Sequence, residues 1–93
     1  MMKKKIFKYE ILLVGLYEIN LPIGAHILSV SAQDGDLFIW VLVDPMAGLE
    51  RRCFEWFATG EDIRCDIGID REYIDTVYIA DGRLVYHLFE RFN

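Results

Sequence analysis

The sequence lacks the motifs that mark the common catalytic sites, and it has few residues that interrupt strands. Only two of its 93 residues are proline. A nucleophile elbow, a phosphate-binding loop and a dinucleotide-binding glycine motif are all absent. No apolar run is long enough to span a bilayer as a helix. We therefore expect a protein that is not an enzyme, binds no cofactor and does not enter a membrane.

Potential metal ligands are also scarce. The chain has two cysteines and two histidines, each isolated in the sequence: His26, Cys53, Cys65 and His87. Zinc sites usually draw their ligands from close pairs, because a pair places two ligands on one turn. We therefore expect no metal site.

The amino terminus only superficially resembles a secretory signal. Lysines occupy positions 3–5, but Lys8 and Glu10 interrupt the apolar stretch that follows, and no small-residue cleavage site is present. We interpret Lys5 to Leu13 as the first strand. The expected location is cytoplasmic, with reduced thiols.

The chain is rich in apolar residues for its length. Hydrophobic residues make up 54% of it and aromatic residues 14%. A small domain has too little interior to bury them all, so we expect an exposed apolar surface that contacts a partner or a second copy. The net charge of −5 argues against nucleic acid and anionic membranes as that partner.

The first of two predicted hairpins runs from Ala25 to Val43. Its Asp34-Gly35 pair favours a type I′ turn, in which both central residues have positive φ. The resulting register is a list of facing pairs: Ala32 with Leu37, Val30 with Ile39 and Leu28 with Val41 on one face, and Ser31 with Phe38 and Ser29 with Trp40 on the other. The second strand is apolar on both faces, so Phe38, Trp40 and Leu42 need a covering layer.

The second predicted hairpin runs from Tyr73 to Phe89 around Asp81-Gly82. Its register is again a list of pairs: Tyr78 with Val85, Thr76 with His87, Ile74 with Phe89, Ile79 with Leu84 and Val77 with Tyr86. Two such hairpins packed face to face form a sandwich.

Three further segments complete the prediction. Tyr17 to Leu21 and Arg51 to Ala58 are interpreted as strands, and Asp44 to Gly48 as a turn. Thr59 to Arg71 is interpreted as a long irregular loop, with a helical turn at Asp70 to Tyr73 as the alternative. The chain is thus predicted to be one all-β domain over residues 1–93, a small sandwich or flattened barrel of six or seven mainly antiparallel strands.

Seven residues are the candidates for an interface. They lie on the two strand faces with tryptophan and in the acidic loop: Phe38, Trp40, Phe54, Trp56, Glu61, Asp62 and Asp66. Arg52 is expected to pair with Asp44 or Glu50. His87 is expected to hydrogen-bond Thr76 as a structural residue, although a small-molecule site containing His26 or His87 remains an alternative.

Several segments resemble one family along nearly the whole chain. They are Lys8-Tyr9-Glu10, Leu21-Pro22-x-Gly24-Ala25-x-Ile27-Leu28-Ser29-Val30, Leu42-Val43-Asp44-Pro45, Arg52-x-Phe54, Thr59-Gly60, Tyr73-Ile74-x-Thr76 and Leu84-Val85-x-His87-Leu88-Phe89-Glu90. This pattern resembles a family of short, uncharacterised proteins encoded by bacteriophages and prophages. The chain departs from it at Ala58, where glycine is expected, and in the extra tail at 91–93.

The resemblance implies a context more than an activity. Small phage accessory proteins often act by binding, for example by inhibiting a host or defence factor inside the bacterial cell. No catalytic residue follows from the resemblance. The alternative is a structural or assembly component built from symmetric homo-oligomers such as a homodimer.

Overall fold

The computed structural model describes residues 3–92 and contains seven β-strands in two antiparallel sheets. The strands are β1 (Lys5–Glu10), β2 (Leu16–Pro22), β3 (His26–Gln33), β4 (Asp36–Val43), β5 (Leu49–Ala58), β6 (Arg71–Ile79) and β7 (Leu84–Arg91). The three-stranded sheet has the order β1-β4-β3, and the four-stranded sheet has the order β2-β5-β7-β6. The prediction of an all-β sandwich is confirmed.

The core lies between the sheets. Every second residue of β4 points inward and is buried, as expected for a strand with one face on the core: Leu37, Ile39, Val41 and Val43. These residues form one cluster with Phe54, Trp56 and Leu88 of the four-stranded sheet. This interior holds the fold together through burial of apolar area.

The Asp34-Gly35 turn has the predicted geometry. Asp34 has φ 52° and Gly35 has φ 86°, and Gln33 pairs with Asp36 across the turn. The predicted pairs of Val30 with Ile39 and of Ser29 with Trp40 are both present. Local turn chemistry therefore sets the register over most of this hairpin.

A β-bulge at Leu28 ends the agreement. Ile27, not Leu28, lies opposite Val41, so the predicted Leu28–Val41 pair is wrong. A bulge places two residues of one strand opposite one of its partner and turns the following side chains to the other face. Between the bulge and the turn, the backbone N–H of Val30 donates to Asp75 Oδ2 of β6 at 3.0 Å, and this hydrogen bond links the two sheets.

The second hairpin also follows its predicted register as far as a β-bulge. Asp81 has φ 57° and Gly82 has φ 82°, and the predicted pairs hold from Ile79–Leu84 to Thr76–His87. A bulge then follows, so Tyr73 instead of Ile74 lies opposite Phe89 and the predicted Ile74–Phe89 pair is wrong. The bulged strands β3 and β6 pack against each other where the two sheets meet.

The first strand is shorter than predicted. It ends at Glu10 instead of Leu13, because the chain crosses to the other sheet after Ile11. Ile11 still donates its backbone N–H to Leu37 O at 2.9 Å and is buried. Leu12 O then accepts a hydrogen bond from Trp56 Nε1 at 3.0 Å, which anchors the crossing on the four-stranded sheet.

The remaining connections follow the prediction with one exception. Asp44 Oδ1 accepts the Met46 N–H at 3.0 Å and Asp44 O accepts the Ala47 N–H at 3.1 Å, which confirms the turn after β4. The segment from Thr59 to Asp70 is a loop. The alternative of a helical turn at its end is wrong, because β6 begins at Arg71. In residues 3–92, no helix is long and apolar enough to cross a membrane.

Two glycines test the turn geometry by the same substitution. An added Cβ would meet nothing within 4 Å at Gly35 or at Gly15, but only Gly35 has a left-handed φ, of +86°. We expect Gly35→Ala to lower the free energy of unfolding by about 1–2 kcal/mol. Gly15→Ala should leave it unchanged or raise it by up to about 1 kcal/mol. Urea unfolding measures both, and equal losses would contradict the turn assignment.

Candidate functional site

The outer face of the three-stranded sheet is an apolar surface over which the described chain places no further layer. We call it the aromatic face and define it by Ile6, Lys8, Phe38, Trp40 and Leu42. Phe38, Trp40 and Leu42 are only half-buried, and Ile6, which pairs with Leu42, is 60% exposed. In the β4 register Phe38 and Trp40 lie on the face opposite the buried Leu37 and Ile39, so within the described residues no second sheet covers them.

Polar contacts hold the rings of the aromatic face in place. Trp40 Nε1 donates to Ser31 Oγ at 2.9 Å. Lys8 Nζ lies 4.1 Å from the centroid of Phe38 and donates to Gln33 Oε1 at 2.7 Å. The indole N–H is thus satisfied within the sheet, and an ammonium group stands over the rings as in a cation–π contact. The face offers apolar area that is already ordered.

Phe54 and Trp56 do not form a second surface. Phe54 is 0% exposed and Trp56 is 5% exposed, because this face of β5 points at the three-stranded sheet. The interface prediction for these two residues is wrong. The sequence correctly placed them on one strand face, but its alternation does not distinguish the face that meets the core.

The acidic loop lies on a different side of the molecule from the aromatic face. Glu61 Oε1 accepts the Ala58 N–H at 2.9 Å, and Asp66 forms an ion pair with Arg64. Asp62 is exposed. Glu61 therefore has its partner at the end of β5 and Asp66 has its partner within the loop, and the seven candidate residues do not form one continuous site.

The loop crosses the outer face of the four-stranded sheet. A crossing is needed because β5 and β6 run parallel with β7 between them, and the other face of the sheet packs on the core. Under the loop, Arg71 Nε donates to Glu55 Oε1 at 2.7 Å, and the same guanidinium donates to Arg64 O and lies 5.3 Å from the centroid of Phe57. Glu55 and Phe57 are buried. The loop thus covers part of this face.

His87 ties the start of the loop to the sheet. Its Nδ1 lies 2.9 Å from Thr76 Oγ1, which confirms the predicted contact, and its Nε2 lies 2.7 Å from Thr59 Oγ1. Tyr73 Oη extends the chain of hydroxyl groups at 2.6 Å from Thr76 Oγ1. Both ring nitrogens are engaged by hydroxyl groups, an arrangement that positions the loop.

A buried ion pair is the feature that the sequence did not reveal. Arg52 donates two hydrogen bonds to the Glu90 carboxylate, one of them at 2.8 Å, and a third to Ala25 O at 2.7 Å. The predicted partners Asp44 and Glu50 are therefore wrong. The pKa of Arg52 is raised, chiefly by the hydrogen bond to Glu90, while burial opposes the shift. Glu90 lies 38 positions away, so no local pattern could indicate it.

This pair borders a cleft of about 410 Å³ at the start of β3. His26, Glu72 and Phe92 also line the cleft. Because Glu90 already neutralises Arg52, the cleft offers no unpaired guanidinium to an anionic ligand. Among residues 3–92, no group of three or more His, Cys, Asp or Glu side chains is placed to hold a metal ion.

The buried Arg52–Glu90 pair and the exposed Arg51–Glu18 pair allow a matched stability test. The side chains of Arg52 and Glu90 are 15% and 8% exposed, whereas those of Arg51 and Glu18 are 72% and 49% exposed. We expect Glu90→Leu to lower the free energy of unfolding by about 3 kcal/mol, because it leaves a buried guanidinium unpaired. Glu18→Leu should cost under about 1 kcal/mol.

The double variant Arg52→Met/Glu90→Leu tests whether the unpaired charge causes the loss of stability. It removes both charges, so it should recover much of the stability lost in Glu90→Leu. Chemical unfolding of all variants gives the comparison. A Glu90→Leu protein as stable as Glu18→Leu would contradict the burial of the pair.

The comparisons with known proteins give a family without an assigned activity. No curated protein and no solved structure matches the chain. One family model matches residues 2–93, and its description is a domain of unknown function, DUF7352. This match covers nearly the whole chain and confirms membership in a family of unknown function, while it carries no information on phage origin. The chain belongs to the DUF7352 family.

Proposed function

We propose that this protein acts by binding another protein through the aromatic face, as an accessory protein of a bacteriophage or prophage in the cytoplasm of the host. The observation that carries the proposal is the ordered apolar surface around Phe38 and Trp40, which no other layer covers in residues 3–92. Aromatic side chains are enriched among residues that dominate binding energy at protein interfaces.

The composition of the face supports a protein partner over other classes. It combines the rings of Phe38 and Trp40 with a single cation, Lys8, on a chain of net charge −5. A nucleic acid would require a basic surface. An apolar patch with one central charge suits a partner that supplies apolar side chains and a carboxylate for the ammonium group.

A second copy of the chain is the competing occupant. β1 forms one edge of its sheet, so part of its backbone is free to pair with another strand. Lys5 and Lys8 lie on this strand, and lysines on an edge usually oppose such pairing. Sizing at several concentrations separates the alternatives: a dimer that persists on dilution supports self-association, and a strict monomer excludes it.

The proposal is tested by capture of a partner from bacterial lysate, with and without phage infection. Phe38→Ser/Trp40→Ser should lose a stoichiometric partner that the unchanged protein retains, because the double change removes the ordered apolar area. Ile67→Ser is the matched control, since Ile67 is a fully exposed apolar residue of the loop. Thermal unfolding checks that the double variant is folded.

A second variant leaves the rings of Phe38 and Trp40 unchanged. Lys8→Glu reverses the charge above Phe38 and Trp40 and should weaken capture without removing apolar residues. The variant Asp62→Asn/Asp66→Asn tests the acidic loop separately. Retention of the partner by every aromatic-face variant, or its loss only in the loop variant, would contradict the proposal.

A further inference from the structure

A cleft of about 400 Å³ lies at the end of the sandwich where the two Asp-Gly turns meet the connection from β1 to β2. We call it the hairpin groove. Its apolar lining includes Leu12, Leu13 and Tyr78, which are 50%, 41% and 66% exposed. Apolar side chains that stay exposed in a concave site contribute binding energy when a ligand covers them.

The charged groups of the hairpin groove are all acidic. Its lining residues include four acidic residues and no Lys, Arg or His; the acidic ones are Glu10, Asp34, Asp36 and Asp81. None of the four takes part in an ion pair with another of residues 3–92. The groove therefore combines an apolar lining with unneutralised negative charge.

The nearby cations belong to other contacts. Arg83 follows the second turn, but its Nε donates to Ala80 O at 3.2 Å and its side chain borders a separate cleft beside Thr59. Lys8 donates to Gln33 on the aromatic face. Neither residue lines the hairpin groove.

We propose that the hairpin groove binds a cationic segment of a partner protein, in which Lys or Arg alternates with apolar side chains. The apolar side chains would cover Leu12, Leu13 and Tyr78, and the cations would approach the carboxylates. Binding removes the mutual repulsion of the carboxylates, and the apolar lining strengthens each attraction by lowering the local dielectric constant. A second copy of this chain is disfavoured because its net charge is also −5.

This inference goes beyond the proposed function, because it concerns a different surface and a different partner chemistry. The aromatic face presents a cation, Lys8, whereas the hairpin groove presents only carboxylates. The two proposals can therefore fail independently.

The test uses a defined probe, a fluorescein-labelled peptide of sequence Lys-Leu-Lys-Leu-Arg-Leu-Lys, measured by fluorescence anisotropy with the full chain. Saturable binding is expected at low salt and weaker binding at about 150 mM salt. A peptide with serine at each cationic position should not bind. Equal binding of both peptides would overturn the proposal, because charge would then not select the occupant.

Two charge-removing variants locate the site. Asp34→Asn/Asp81→Asn keeps both turns, since Asn-Gly is favoured in type I′ turns, and should weaken binding roughly five- to ten-fold. Asp62→Asn/Asp70→Asn removes the same charge from exposed loop positions and should change affinity by less than about two-fold. Equal weakening by both variants would show nonspecific attraction to an acidic protein and overturn the proposal.

A third variant separates the hairpin groove from the aromatic face. Phe38→Ser/Trp40→Ser should bind the peptide like the unchanged protein, because both rings lie outside the groove lining. Loss of peptide binding in this variant, with Asp34→Asn/Asp81→Asn unaffected, would place the peptide on the aromatic face and overturn the inference.

Discussion

Packing of the two sheets against each other is the constraint on which the rest of the structure depends. Each sheet buries one face, and β4 and β5 supply six of the twelve buried residues of the core cluster in the described chain. Both sheets are then left with an outer face. The only long connection among the described residues, from Thr59 to Asp70, crosses the four-stranded sheet, so the three-stranded sheet keeps Phe38 and Trp40 uncovered. The open face thus follows from the topology of the described residues.

The turn residues explain how much of the fold could be predicted. Asp34-Gly35 and Asp81-Gly82 determine register through backbone conformation, which is a local property, and the predicted pairs hold until each strand reaches a bulge. The bulges lie in strands β3 and β6, which contact each other and are joined by the hydrogen bond between Val30 and Asp75 across 45 positions. No periodicity within one strand reports such a contact.

The same limit applies to the candidate site. Alternation places Phe38 and Trp40 on one face of β4, and Phe54 and Trp56 on one face of β5, with equal clarity. Only the packing of the sheets shows that the first pair is half-buried and the second is buried. The Arg52–Glu90 pair escaped prediction for a related reason: it joins β5 to β7, two strands that no turn connects and that lie far apart in the sequence.

The distribution of ion pairs explains why the two proposed surfaces differ in charge. The chain has 10 basic and 15 acidic residues, and five arginines pair with carboxylates away from the hairpin groove: Arg51, Arg52, Arg64, Arg71 and Arg91. These five arginines take only four carboxylates, and the acidic residues of the hairpin groove are among those left without an ion pair. Glu10 lies opposite Phe38 in the sheet, so the acidic groove adjoins the aromatic face at this pair. One partner with an apolar patch beside a cationic segment would contact both surfaces, and its affinity would then fall with salt more steeply than the aromatic face alone implies.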